Sequence, residues 1–239
     1  MRILLTGGSG RLGTELRDLL PGVIAPSRRQ LNVIDDASVR HALEEAKPDV
    51  VIHAAAYTNV SGAERDRAMC WAVNVAGTRN VVRAANNVRA KLIHISTDYV
   101  FDGERGGYRE DDTPGPPANY YALTKLVAEE VARLANRHLV IRTSFRPRVW
   151  PYDTAFTDVF TSQDYVDVIA PELALAIRNH EQVSYETLHV ATERKSVYDL
   201  ARRRRPDVRP GTRLQANVSL PNDVSLDTSR WQDLKKRLN

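Results

Sequence analysis

Residues 1–20 constrain the fold more than any other stretch. Residues 1–6 read M-R-I-L-L-T, a short apolar run suited to a buried parallel strand. Gly7, Gly10 and Gly13 follow at once, and residues 11–20 then place Leu12, Leu16, Leu19 and Leu20 on one helical side. Strand, glycine turn and helix in that order form a phosphate cradle. Glycines let the backbone approach a pyrophosphate, and the N–H groups opening the helix face its charge. The spacing is G-x-x-G-x-x-G rather than G-x-G-x-x-G, which leaves that physics unchanged. We therefore expect Gly7, Ser9, Gly10, Arg11, Leu12 and Gly13 to bind a dinucleotide cofactor.

The rest of the chain keeps the strand–helix rhythm. Strands are expected at 23–25, 49–53, 91–96 and 138–142, and helices at 36–46, 63–87 (as one helix or two) and 119–135. The stretch 102–117, rich in Gly, Pro and charge, reads as a mobile loop. This pattern predicts an α/β fold, a doubly wound parallel sheet of the Rossmann type. After residue 142 the rhythm weakens. A helix at 171–179 with Pro171 in its first turn, a short strand at 188–190 and a helix at 197–204 capped by Ser196 are expected there. Residues 1–144 are assigned to a dinucleotide-binding domain. Residues 145–239 are assigned to a smaller C-terminal substrate-binding portion, interleaved with the first.

Tyr121 and Lys125 lie four apart, on one helical face. An ammonium there favours tyrosinate and so lowers the phenol's pKa, making Tyr121 a general acid or base. The Thr97 hydroxyl can hold a substrate oxygen beside it. We assign Thr97, Tyr121 and Lys125 as catalytic, for hydride chemistry at a carbinol or ketone carbon. Ser27, Arg28 and Arg29 follow the second strand, where cofactor choice is made. An acidic residue there would bind the 2′-OH of NAD, whereas Arg accommodates the 2′-phosphate of NADP, so NADP(H) is favoured over NAD(H). The small Ala54, Ala55 and Ala56 leave room for the adenosine part of the cofactor.

These segments resemble an extended short-chain dehydrogenase/reductase, and within that group the dTDP-4-dehydrorhamnose reductase family. The matching strings are T-G-G-S-G-R-L-G at 6–13, H-A-A-A-Y-T-N-V at 53–60, N-V-A-G-T at 74–78, I-S-T-D-Y-V-F-D-G at 95–103, Y-A-L-T-K at 121–125, R-T-S at 142–144 and S-L-D-T-S-R at 225–230. The resemblance implies that Tyr121 protonates a 4-keto oxygen and that Lys125 also contacts the nicotinamide ribose, so Tyr121 and Lys125 count as cofactor-binding as well. It places Thr97, Asp98 and Tyr99 at the substrate. Asn74 matches the family's N-x-x-G-T, where a structural bond to a neighbouring loop is the favoured role. The segment after R-T-S is shorter than in typical members and reads F-R-P-R-V-W. Arg146 and Arg148 could hold a diphosphate there, and Trp150 could stack on a base or sugar.

Composition excludes other classes. Hydrophobic residues make up 42%, and no apolar run approaches the length of a membrane span. The single cysteine, Cys70, excludes an intramolecular disulfide framework, and with the absence of a visible signal peptide it fits a cytoplasmic protein. The net charge of +4 includes the run Arg202–Arg205, read as a helix end rather than a nucleic-acid surface, since no aromatic interleaving accompanies it. We assign no metal site, no membrane partner and no nucleic-acid partner; a homodimer stays open. The leading function is an NAD(P)H-dependent reductase of a 4-keto nucleotide sugar. An epimerase or dehydratase ranks lower, because Tyr99 stands where dehydratases carry an acid after Thr-Asp. The third reading is a non-catalytic, cofactor-sensing regulatory subunit on the same fold.

Overall fold

The computed structural model describes residues 1–238. The chain runs β1 (Ile3–Thr6), α1 (Arg11–Leu19), α2 (Asp36–Ala46), β2 (Val50–His53), α3 (Val60–Arg65), α4 (Arg67–Trp71), α5 (Gly77–Asn87), β3 (Lys91–Thr97), α6 (Tyr120–Ala132) and β4 (His138–Thr143). It continues through β5 (Phe145–Arg146), β6 (Thr154–Phe156), β7 (Phe160–Thr161), β8 (Asp164–Tyr165), α7 (Val166–Arg178), β9 (Thr187–His189), β10 (Lys195–Ser196), α8 (Val197–Arg202), β11 (Arg209–Gly211) and α9 (Ser229–Leu238).

The central sheet has the order β1-β2-β3-β4-β9, parallel throughout. Strands β1, β2 and β3 are buried at every position, as a sheet covered on both faces requires. One face packs under α1, α7 and α9 through Leu12, Leu16, Ile169, Leu173 and Trp231. The other packs under α2, α5 and α6 through Leu43, Val81, Ala85 and Ala132. Each fully buried Leu or Ile contributes about 1.5–3 kcal/mol, so these two faces drive the fold. Side-chain caps fix the helix starts. Asp35 accepts from the Ala37 and Ser38 amides at α2, and Asn119 from Ala122 at α6.

The expected strand at 23–25 is reduced to one parallel bridge, Leu4 to Ile24, on the free side of β1. The chain thus leaves β1 to one side and returns to β2 on the other. That reversal opens a crevice beyond the C-terminal ends of β1 and β2, where open α/β sheets bind ligands. The helical stretch expected over 63–87 starts earlier, at Val60. It breaks at Asp66 and passes through a π-helical turn at Ala72–Ala76 before α5.

Beyond β4, α7 and α9 pack on the sheet while β9 joins its edge. The remaining C-terminal segments build a small cluster around Trp150, Val159, Val197 and Val208. Pro171 lies inside α7, not in its first turn. The helix begins at Val166 because Val166, Ile169 and Ala170 bury against the sheet. That packing outweighs the hydrogen bond lost at Pro171, whose ring faces solvent. The loop at 102–117 is tied down rather than loose. Tyr108 is buried and stacks on Phe101 at 4.2 Å, and the Tyr108 amide donates to the Ser225 carbonyl at 2.9 Å. Arg203, Arg204 and Arg205 are not a solvated run: they pair with Asp164, Asp167 and Asp153 and stitch the end of α8 to its neighbours.

Candidate active site

The glycine turn is sterically obligatory. Gly7 has φ +74°, and a Cβ there would lie 2.7 Å from the Ala55 amide nitrogen. A Cβ on Gly13 would lie 2.1 Å from the Gly7 carbonyl oxygen. Gly10 caps α1 without any side-chain acceptor, so the amides opening the helix remain available to an anion. Ser9 and Arg11 are exposed beside them. Leu12, expected at the cofactor, buries its side chain in the sheet core, so only its backbone can face the turn. Ala54, Ala55 and Ala56 line the opposite wall, half-buried. Ser27, Arg28 and Arg29 are exposed past the Ile24 bridge; Ser27 Oγ donates to Gln30 Oε1 at 2.8 Å, and among the described residues neither arginine has an ion-pair partner. A nicotinamide dinucleotide fits this cradle: close backbone approach, open amides and two free guanidiniums at one end.

A buried polar chain, not anticipated from the sequence, supports the turn. His53 Nδ1 lies 2.8 Å from Thr6 Oγ1 and Nε2 lies 3.0 Å from Thr78 Oγ1. Thr78 donates its own proton to the Asn74 carbonyl, so it must accept from Nε2–H, which fixes the neutral tautomer. Burial holds the His53 pKa down at about 3. Asn74, in the π turn, accepts from the Tyr57 amide at 2.7 Å and donates to Thr124 Oγ1 at 2.9 Å. It thereby clamps the loop after β2 to α6, the structural role expected for it. The signal was present in D-V-V-I-H and K-L-I-H-I-S: a histidine inside an apolar strand run needs a buried partner.

Tyr121 and Lys125 share the inner face of α6, 9% and 3% exposed. Tyr121 packs edge-on to Tyr99, with ring centroids 6.2 Å apart, over Ala63 and Cys70. Thr97 ends β3 and donates to Asp98 Oδ1 at 3.0 Å. The structure brings Thr97, Asp98, Tyr99 and Tyr121 together. It contradicts the electrostatic role expected for Lys125. Burial, and then the Asp98 charge, push the Tyr121 pKa well above that of an ordinary phenol, while its hydrogen bond with Thr97 pulls the other way. The Lys125 ammonium donates to the Ile95 carbonyl at 2.8 Å and sits 3.5 Å from His94 Nε2, so it is spent on the strand rather than on the phenol. Burial lowers its own pKa to about 8.

On the substrate side, Asp98 is enclosed by hydroxyls. Thr161 Oγ1 donates to Oδ2 at 3.2 Å, and Ser144 also bonds it. Burial raises its pKa to about 6, against the pull of those bonds and of Arg146. Burial pushes the Tyr99 phenol up to about 12, again against Arg146. The expected trio of Arg146, Arg148 and Trp150 is not a single cluster. Arg148 is exposed and makes a two-pronged ion pair with Glu15 of α1, both contacts at 2.8 Å. Trp150 is 3% exposed and forms the core of the small C-terminal cluster, so its faces are not free to stack on a base. Arg146 alone remains facing Asp98 and Tyr99.

A family model described as the RmlD substrate binding domain matches residues 1–153. The spore coat polysaccharide biosynthesis protein SpsK of Bacillus subtilis is 37% identical over 150 residues, 60% of this chain and 53% of its own length. A dTDP-4-dehydrorhamnose reductase of Mycobacterium tuberculosis is 36% identical over 182 residues, 70% of this chain and 54% of its own. The chain thus spans about half the length of the curated relatives it matches. Among solved structures, a dTDP-4-dehydrorhamnose reductase of Bacillus anthracis in complex with NADP superposes with a TM-score of 0.85 at 27% identity, covering 98% of this chain and 97% of that one. A hypothetical dTDP-4-dehydrorhamnose reductase of Sulfolobus tokodaii gives 0.86 at 35% identity, covering 98% and 94%.

Proposed function

We propose that this chain, which belongs to the dTDP-4-dehydrorhamnose reductase family, is an NADP(H)-dependent reductase that converts the ketone of a 4-keto nucleotide sugar to an alcohol. The observation that carries the reading is the convergence of the Tyr121 phenol and the Thr97 hydroxyl at the end of β3, next to the glycine crevice. A bound nicotinamide supplies the hydride. Tyr121 supplies the proton: a phenol held above its ordinary pKa is protonated at neutral pH and suits a donor. Thr97, whose proton goes to Asp98 in this structure, would turn that proton to the ketone oxygen and hold it toward the phenol. Lys125 would hold the ribose hydroxyls, leaving its bond to Ile95 to do so. Gly7, Gly10, Gly13 and the open amides of α1 would hold the pyrophosphate, and Arg28 and Arg29 the 2′-phosphate that marks NADP(H).

The test is NADPH and NADH oxidation against a panel of 4-keto sugar nucleotides. Turnover with at least one, faster with NADPH, is expected. A panel without turnover would sink the reductase reading and favour a cofactor-sensing subunit, a reading supported by the withdrawal of Arg148 to Glu15.

A further inference from the structure

A guanidinium shielded from water is costly unless an acceptor compensates it. The chain's shielded arginines obey that rule with one exception. Arg142 pairs with Glu129, Arg204 with Asp167 and Arg205 with Asp153, and the remaining shielded arginines also have carboxylates. Arg146 is half-buried too, yet among the described residues it makes no ion pair, and its buried Nε–H has no acceptor. Its guanidinium lies 5.4 Å from the centre of the Trp150 ring, and the Trp150 indole N–H is likewise buried without a partner. Asp98 feels its charge, yet that carboxylate is bonded by three hydroxyls and forms no ion pair with Arg146. Nor is Arg146 loosely placed: β5 pairs with β8, Arg146 opposite Tyr165, and Pro147 follows.

We infer that Arg146, backed by Trp150, is an anion-accepting subsite at the substrate mouth that takes an oxyanion of the bound nucleotide sugar. Both groups are pure donors, so the missing partner is an acceptor, and the planar fork of arginine matches a phosphate or a carboxylate with two parallel bonds. That oxyanion is either the diphosphate or a carboxylate on the sugar itself. Its charge acts on Asp98 and Tyr99, which sets the subsite on the substrate side rather than at the glycine turn. The inference deepens the reductase reading and rests on it only for the ligand being a nucleotide sugar.

Calorimetric titration of NADPH-saturated protein tests it, with dTDP- and UDP-linked glucose and glucuronate as probes. Arg146→Gln should weaken binding of the recognised ligand about tenfold or more, as loss of a charge-assisted pair predicts. Arg146→Lys should recover part of that loss. Arg202→Gln, the same charge change at an exposed position, should have no effect. A loss for glucose and glucuronate forms alike identifies the diphosphate; a loss for glucuronate alone identifies the sugar carboxylate. Unliganded Arg146→Gln gives up no ion pair, only the contact with Trp150 and the pull of the Asp98 charge, and its melting temperature is the baseline for the liganded comparison. Equal affinities of wild type and Arg146→Gln for every probe would overturn the inference. A binding loss with no turnover on any 4-keto sugar would count against the reductase reading and leave the subsite standing.

Discussion

Asp98→Asn should stabilise the protein, and by an amount that depends on pH. In the folded protein the Asp98 pKa rises from an ordinary 3.8 to about 6, because its carboxylate is taken out of water. A raised pKa means that the folded state binds the proton more tightly. The stability from protonated Asp98 is therefore fully present below pH 3.8 and is lost as pH rises through about 6. At about 1.4 kcal/mol per unit the loss above pH 7 is about 3 kcal/mol. Asparagine carries no charge and does not titrate. Its amide keeps one acceptor oxygen for the hydroxyls of Thr97 and Thr161, and those hydroxyls can rotate to accept from its NH₂. One imperfect bond would cost about 1 kcal/mol, leaving a net gain of about 2 kcal/mol at pH 8. In a domain of this size that is roughly 4–8 °C in Tm. The assay is urea unfolding of both proteins at pH 4, 6 and 8. The stability difference between them should move by about 2–3 kcal/mol from pH 4 to pH 8, with the variant gaining. A difference that stays constant across that range would show that Asp98 titrates as an ordinary carboxylate, and the argument from burial would fail.

Tyr121→Phe should lower turnover of the true substrate by roughly 10²–10⁴ while keeping most NADPH binding, measured by stopped-flow and titration; an unchanged rate would remove Tyr121 from the chemistry. Arg28→Ala with Arg29→Ala should weaken NADPH more than NADH, by about 1.5–3 kcal/mol, and equal losses would detach these arginines from the 2′-phosphate. Arg142→Met should cost about 3–5 kcal/mol of folding stability, because it leaves the fully buried Glu129 with only the more distant Arg133 as counter-ion. Adding Glu129→Leu should restore most of that loss, and a double variant as unstable as the single would deny the pair its charge-compensating role.

The doubly wound sheet was legible because two periodicities were plain. Four-residue apolar runs alternated with amphipathic stretches, and the glycine turn stood where a strand meets a helix. What was not legible depended on partners far along the chain. Pro171 read as a helix start because local geometry favours proline there, whereas Ile169 and Ala170 were drawn into the helix by the sheet they bury against. The loop at 102–117 read as mobile from its composition, but its Tyr108 finds Phe101 and a strand-like contact with Leu226. Trp150 and Arg148 stand in one short segment with Arg146, and that spacing cannot reveal that Glu15 waits for one and a C-terminal cluster for the other.

The same limit explains Lys125. Spacing put its Cα on the face of Tyr121, and the structure keeps it there. Spacing does not say where a four-carbon stem ends, and this one ends at the Ile95 carbonyl. The phenol therefore feels burial and Asp98 more than any ammonium, and its pKa rises instead of falling. The direction of the shift bears on the direction of the chemistry. A tyrosinate would serve the oxidation of an alcohol; a neutral phenol serves the reduction of a ketone. Above about pH 6 Asp98 is ionised, and its charge works against a second anion on Tyr121. The pair thus holds Tyr121 in its proton-bearing form over the range where Asp98 carries charge, and that is the form the proposed reduction consumes.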